Sequence, residues 1–66
     1  MESHICLNWK ALVEEAIKRR KELKISQDRL AIIVGVSKPT VNAFEQGKLS
    51  ISLENALKIL KALGLS

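Results

Sequence analysis

The stretch that most constrains the fold is Ser26–Gln46, SQDRLAIIVGVSKPTVNAFEQ, which predicts two short helices joined by a tight turn. Ser26 is placed to cap the first helix, because its hydroxyl oxygen can accept a hydrogen bond from an unpaired amide of the opening turn. Gly35 predicts the end of that helix, since glycine readily adopts the left-handed conformation of helix C-termini. Ser37 is the expected cap of the second helix, and Pro39 lies in its first turn, where a missing N–H costs little.

Both helices have apolar residues at helical spacing, which predicts an inner face on each. Two helices joined by a three-residue turn that contains glycine are typical of a DNA-binding helix-turn-helix. The second helix, residues 38–46, is therefore the expected recognition helix. The predicted inner faces comprise Leu30, Ala31 and Val34, then Val41 and Phe44.

Two further helices are predicted at residues 9–23 and 53–63, capped by Asn8 and Ser52. Gly64 predicts the end of the last helix. The fold class is therefore all-α, a compact bundle of four, or five, short helices. The expected core stripe of the last helix comprises Leu53, Ala56, Leu57, Leu60 and Leu63.

Residues 1–7 are weakly patterned, so we expect one helix-turn-helix domain over residues 8–66. The apolar run Ile5-Cys6-Leu7 fits a loose tail, an extra helical turn, or a short strand that pairs with a partner chain. His4 and Cys6 are two ligands short of a metal site, so we expect no metal and no cofactor. A lone cysteine fits a reducing cytoplasm, where the protein would lie on the nucleoid when bound to DNA. No apolar run approaches the length of a membrane span.

The charge balance favours a polyanionic partner. The chain carries 11 Lys and Arg against 7 Asp and Glu, a net charge of +4. There is no nucleophile–base arrangement, no phosphate loop and no acidic pair in a pocket, so the sequence predicts that the protein is not an enzyme. Arg19 and Lys21 fit two interpretations equally well, a solvated helix face or a contact with the DNA backbone.

Arg20 and Glu45 are predicted to form a structural ion pair. Arg20 falls on the edge of the inward face of the first helix, and Glu45 is an acid at the end of the recognition helix. A partly buried, bidentate pair would hold these two helices together.

The high apolar fraction, 47%, predicts a partner surface on so small a domain. Ile32 and Ile33 would point sideways or outward, unless a slightly rotated helix brings one of them into the core. Ile59 lies off the core stripe of the last helix and is expected at an interface. We therefore predict a homodimer that uses some of Ile5, Leu7, Ile32, Ile33, Leu49, Ile51 and Ile59.

One pattern of caps, turn and helix-end residues runs from about Leu12 to Leu65. It comprises Ser26-Gln27, Leu30-Ala31, Gly35-Val36-Ser37, Thr40-Val41, Phe44-Glu45, Gly47-Lys48 and Leu60-x-Ala62-Leu63-Gly64. These residues together resemble the Cro/C1-type helix-turn-helix family, also called the XRE family, which implies a lambda-repressor-like fold. Members of this family commonly place an Arg–Glu bridge at the positions of Arg20 and Glu45. Residues 41–45 and 57–65 further resemble the HipB-type antitoxins, which repress their own operon and bind a HipA-type kinase toxin.

The resemblance implies double-stranded DNA as the partner and assigns roles along the helix-turn-helix. Ser26 and Gln27 would face a phosphate at the start of the first helix. Gln46 and Lys48 would hold the flanking phosphate. The outward positions of the recognition helix, which would reach the base edges, are Ser37, Lys38, Thr40, Asn42 and Ala43. Pro39 departs from the family, because it replaces a polar side chain that such proteins often use to read bases.

Two functions follow from these expectations. The first is a sequence-specific transcriptional repressor that binds an inverted-repeat operator as a homodimer. The alternative is an antitoxin that binds a protein toxin and autoregulates its operon. For Lys38, base reading and a simple phosphate contact remain equally open.

Overall fold

The computed structural model describes residues 8–65, and this part of the chain contains four helices. No strand occurs in this part, so the predicted all-α fold is confirmed, and each helix bound lies within one residue of its expected position. The expectations for the apolar run, the His4–Cys6 pair and the interface residues Ile5 and Leu7 lie outside the described residues. The helices are α1 (Trp9–Glu22), α2 (Gln27–Val34), α3 (Lys38–Glu45) and α4 (Leu53–Ala62).

Every helix begins at a side-chain cap. In each case the side-chain oxygen of the capping residue accepts a hydrogen bond from the backbone N–H three residues later, over 3.0 to 3.3 Å. This bond satisfies one of the amides that a helix start leaves without an intrahelical partner. The four caps are the predicted ones, Asn8, Ser26, Ser37 and Ser52.

Each helix is also followed by a residue with positive φ. The backbone N–H of the next residue donates a hydrogen bond to the carbonyl that lies five residues before it. This is the backbone geometry of the Schellman motif. Three of the four positions are glycines, where a positive φ costs little. The exception is Lys24 after α1, with φ of 60°, where the side chain crowds the backbone. The other positive-φ residues are Gly35, Gly47 and Gly64.

Replacing Lys24 with glycine should therefore stabilise the protein. We expect Lys24→Gly to raise the free energy of unfolding by about 0.5–1 kcal/mol, because glycine adopts the left-handed conformation without steric cost. Urea denaturation followed by circular dichroism measures the change. The control is Lys21→Gly, an exposed position inside α1, which should lower the free energy by about 1 kcal/mol. Destabilisation by both variants would contradict the prediction.

The core lies around α3, which contacts each of the other three helices. Val41 and Phe44 on α3 are fully buried, and the rings of Trp9 and Phe44 are nearly perpendicular, with centroids 5.6 Å apart. An edge-to-face arrangement is favourable for aromatic pairs. The position of α3 is therefore set by packing from several sides. The buried core comprises Val13, Ala16, Leu30, Ala31, Val41, Phe44, Ala56, Ile59, Leu60 and Leu63.

The orientation of α4 differs from the prediction. Ile59, expected at a partner interface, is fully buried in the core, so that expectation is wrong. Leu53 and Leu57, expected in the core, are 71% and 45% exposed. The physical reason is that α4 carries two overlapping apolar stripes, and packing against α2 and α3 selects the one that contains Ile59. Leu23 lies past the end of α1 and is likewise exposed.

Within residues 8–65, no helix combines the length and the apolar character that crossing a membrane requires.

Candidate nucleic-acid interface

The turn between α2 and α3 is held from both sides. Gly35 ends α2 with φ of 86°, and Val36 packs partly buried against the core. Ser37 caps α3, and its hydroxyl also lies 2.9 Å from the Thr40 hydroxyl, within hydrogen-bond distance. The first turn of α3 is thereby fixed relative to α2.

The two sides of α3 differ sharply in exposure. Val41 and Phe44 are fully buried, whereas Lys38, Asn42 and Gln46 are exposed. The exposed three are spaced four residues apart, which places them in one row along the helix. Of the other residues predicted to reach DNA, Ser26, Ser37 and Lys48 are exposed, and Gln27, Thr40 and Ala43 are partly buried.

Thr40 and Ala43 line an open cleft between α3 and the start of α4. The cleft has a volume of about 290 Å³. Pro39 borders it from α3, and Ser52 and Asn55 border it from α4. Thr40 and Ala43, which are partly buried, are therefore less accessible than the exposed row of Lys38, Asn42 and Gln46.

The predicted ion pair between Arg20 and Glu45 is present and bidentate. Arg20 Nε donates to Glu45 Oε2 over 2.6 Å, and Arg20 Nη2 donates to Glu45 Oε1 over 3.2 Å. The side chains are only 12% and 9% exposed. Arg20 Nη1 also donates to the carbonyl of Ile25 over 2.8 Å, in the connection between α1 and α2. One guanidinium therefore joins α1, this connection and the end of α3.

Gln27 is a member of the same network, which the sequence did not reveal. Its Nε2 donates to Glu45 Oε1 over 2.8 Å, so the start of α2 is tied to the end of α3. The amide nitrogen carries two hydrogens, and a contact of the second hydrogen with a phosphate oxygen is compatible with this bond. Gln27 thus fits a positioning role as well as the predicted phosphate contact.

Lys38 lies beside an exposed carboxylate on α2. Its Nζ is 3.7 Å from Asp28 Oδ1, and the two side chains are 56% and 66% exposed. Exposed ion pairs of this kind contribute little to stability. Lys38 can therefore exchange Asp28 for another anion at small cost.

Arg19 has a structural partner that neither predicted interpretation included, and its side chain is still 38% exposed. Its Nη1 donates to the carbonyl of Leu63 over 3.2 Å, at the C-terminus of α4. A cation at this position satisfies a helix-end carbonyl and interacts favourably with the helix dipole. Lys21 remains exposed.

Comparison with known proteins gives matches to a family and to individual relatives. A family model described as helix-turn-helix matches residues 17–66. An uncharacterized HTH-type transcriptional regulator of Haemophilus influenzae is 41% identical over 54 residues, which cover 82% of this chain and 55% of that protein. Another, of Methanothermobacter thermautotrophicus, is 47% identical over 47 residues, covering 71% of this chain and 68% of that protein. The chain spans about half the length of the Haemophilus relative. No solved structure matches significantly.

Proposed function

Because this chain belongs to the Cro/C1-type helix-turn-helix family, we propose that it regulates transcription by binding double-stranded DNA through α3. The observation that carries the proposal is the exposed row of Lys38, Asn42 and Gln46 on a helix whose opposite side is fully buried. Such a helix can enter the major groove while its core packing stays in place. The net charge of +4 favours the same partner.

The row supplies the donors and acceptors that base edges require. Lys38 can donate to O6 and N7 of guanine, and Asn42 can form two hydrogen bonds with adenine. Gln46 lies at the far end of the row from Lys38, and Lys48 follows it. Both would lie near a flanking phosphate if the helix enters the groove with its N-terminal residues forward. Contacts from these two residues would position the protein, and a contact from Asn42 with a base edge would specify the sequence. Lys38 would either read a base or hold a phosphate.

Lys38→Ala tests the proposed interface. If Lys38 touches a phosphate, we expect weaker DNA binding and a salt dependence that is flatter by about one unit of log–log slope. The matched control is Lys58→Ala, since Lys58 is 49% exposed and pairs with Glu54 on α4, as Lys38 is 56% exposed and pairs with Asp28. Titrations over a range of salt concentrations measure both quantities. Equal effects of the two variants would contradict a specific contact by Lys38.

If Lys38 reads a base, the effect takes a different form. Binding of Lys38→Ala to the preferred site should weaken by about 1–3 kcal/mol, and the preference at one base pair should relax. A uniform weakening across all sequences would assign Lys38 to the phosphate backbone.

We further propose that the protein acts as a repressor and binds an inverted repeat as a homodimer. A two-fold dimer reads two half-sites about one helical turn apart. The exposed side chains of Ile32 and Ile33, 73% and 55% accessible, support a partner surface on α2. Ile51 is partly buried and can contribute only its remaining exposed part. Sedimentation at high micromolar concentration, with and without DNA, tests this assembly, and a monomer in both conditions would contradict it.

Selection of bound sequences from a random DNA pool tests the proposed function as a whole. The expected result is a two-fold symmetric consensus, with half-sites separated by about one helical turn. An unselective outcome from folded protein would contradict sequence-specific regulation.

The second candidate function is an antitoxin that binds a protein toxin. It is favoured by the same pair of adjacent isoleucines, because a small domain gains little from exposing them to water. The test is Ile33→Glu, measured for binding to a kinase-like toxin encoded beside it. Abolished toxin binding with an unchanged circular dichroism spectrum supports the antitoxin, and retained binding contradicts this surface. Ile33→Leu is the matched control and should bind normally.

A further inference from the structure

Asp28 is the exposed acidic residue of the helix-turn-helix. Of the two acids in residues 26–46, Glu45 is only 9% exposed and is held in the ion pair with Arg20, whereas the side chain of Asp28 is 66% exposed. Asp28 lies in the first turn of α2, and its Oδ1 is 3.7 Å from Nζ of Lys38, the first residue of α3. A carboxylate at this position works against binding to a polyanion, so its presence beside the exposed row requires a reason.

A stabilising role at the start of a helix explains only part of this placement. An acid in the first turn of a helix interacts favourably with the helix dipole. Glu54 has the same position in α4, and it pairs with Lys58 of its own helix over 3.6 Å. The partner of Asp28 lies instead on a different helix, at the end of the exposed row. Asp28 therefore also affects which groups Lys38 can bind.

The carboxylate of Asp28 makes a phosphate a poor partner for Lys38. While the pair is kept, a phosphate oxygen held by Lys38 Nζ would lie within about 7 Å of Asp28 Oδ1, less than the screening length of about 8 Å at physiological salt. Two anions would then share one cation and repel each other. An uncharged acceptor meets no such repulsion. The lysine ammonium carries three hydrogens, so it can donate to a base and keep its contact with Asp28.

We propose that Asp28 is a specificity-determining residue, which directs Lys38 to O6 and N7 of a guanine instead of a phosphate. The inference rests on the proposed binding of DNA through α3. The N-terminal residues of a recognition helix contact base edges, and Lys38 is the first residue of α3. O6 and N7 of guanine are neighbouring uncharged acceptors in the major groove. Asp28 thus weakens binding to arbitrary sequences more than binding to the preferred site, and it needs no contact of its own with DNA.

Asp28→Asn tests this inference, with two DNA duplexes as probes. The first duplex carries the site selected from the random pool, and the second has the same base composition in scrambled order. We expect binding to the scrambled duplex to tighten about threefold, and the ratio of the two affinities to fall by the same factor. The salt dependence of binding to the scrambled duplex should become steeper by up to about one unit of log–log slope, because the released Lys38 then binds a phosphate.

The matched control is Glu54→Gln. It removes the same charge from the first turn of a helix and from a lysine pair of nearly equal length, and it should leave the affinity ratio unchanged. Asp28→Glu keeps the charge and should preserve the ratio as well. In a Lys38→Ala background, the effect of Asp28→Asn should disappear, because it acts through Lys38. A purely structural role of Asp28 would change thermal stability and leave the affinity ratio as it is.

Three outcomes would overturn the inference and leave the proposed function intact. The first is an equal affinity ratio for Asp28→Asn and Glu54→Gln. The second is an effect of Asp28→Asn that persists without Lys38. The third is a salt dependence at the preferred site that Lys38→Ala flattens by about one full unit, since this assigns Lys38 to a phosphate. Absence of binding of the wild-type protein to either duplex would instead remove the proposed function together with the inference.

Discussion

Replacing Arg20 with alanine is expected to lower the free energy of unfolding by about 3–5 kcal/mol. The change leaves the carboxylate of Glu45 at a site where it is only 9% exposed, with Gln27 as its remaining partner. It also removes the donor to the carbonyl of Ile25. A domain of this size has about 5–15 kcal/mol of stability at most, so a large part of it depends on one guanidinium.

Urea denaturation of Arg20→Ala, followed by circular dichroism, measures this destabilisation. The control Arg29→Ala removes an exposed arginine from α2 and should change the free energy by less than about 0.5 kcal/mol. A double variant, Arg20→Met with Glu45→Leu, should regain most of the stability, since apolar replacement of a buried pair is often neutral. A decrease below about 1 kcal/mol for Arg20→Ala would mean that the pair behaves as a surface pair.

Phe44→Ala is expected to cost about 3–5 kcal/mol and to weaken DNA binding. Phe44 is fully buried at the centre of the core, and its ring packs edge-to-face with the ring of Trp9. Its removal leaves a cavity beneath α3 and takes away the packing that positions the exposed row. The weaker DNA binding therefore follows from a less ordered helix, with no contact of Phe44 to DNA.

The fluorescence of Trp9 and calorimetry together measure the loss of stability in Phe44→Ala. Phe44→Leu retains most of the volume and should cost much less than alanine. The matched control Leu57→Ala shortens a side chain that is 45% exposed, and it should cost less than Phe44→Ala. Equal destabilisation by Phe44→Ala and Leu57→Ala would contradict the central position of Phe44.

Helix bounds could be predicted because short-range hydrogen bonds decide them. Ser26 bonds to an amide three residues later, and Gly35 ends the same helix through its own backbone conformation. These interactions need no tertiary partner. The Arg20–Glu45 pair could also be predicted. Glu45 is an acid at the end of α3, a helix that otherwise carries no acidic residue.

The orientation of α4 could not be predicted, because the periodicity of its sequence fits two faces. Leu53, Ala56, Leu57 and Leu60 have the spacing of a core stripe, and so do Ala56, Ile59, Leu60 and Leu63. The difference between them is a small rotation about the helix axis. Contacts with α2 and α3 decide that rotation, and they involve residues distant in sequence.

The partners of long polar side chains also had no local signal. Gln27 bonds to a residue 18 positions away, and Arg19 to one 44 positions away. Judged from the sequence alone, the side chains of Gln27 and Arg19 are equally compatible with a solvent-exposed position. The predicted contribution of Gln27 to DNA binding therefore omitted its bond to Glu45.

The self-contained helix ends have a kinetic consequence. Each of the four helices carries its start and stop signals within about five residues of its ends, so these signals can act before any distant parts of the chain meet. Little loop-closure entropy opposes such early structure. We expect refolding in microseconds to milliseconds, as in other helical domains rich in local contacts, and stopped-flow or temperature-jump measurements can test this rate. A chain that folds so quickly exposes the side chains of its core for only a short time after synthesis.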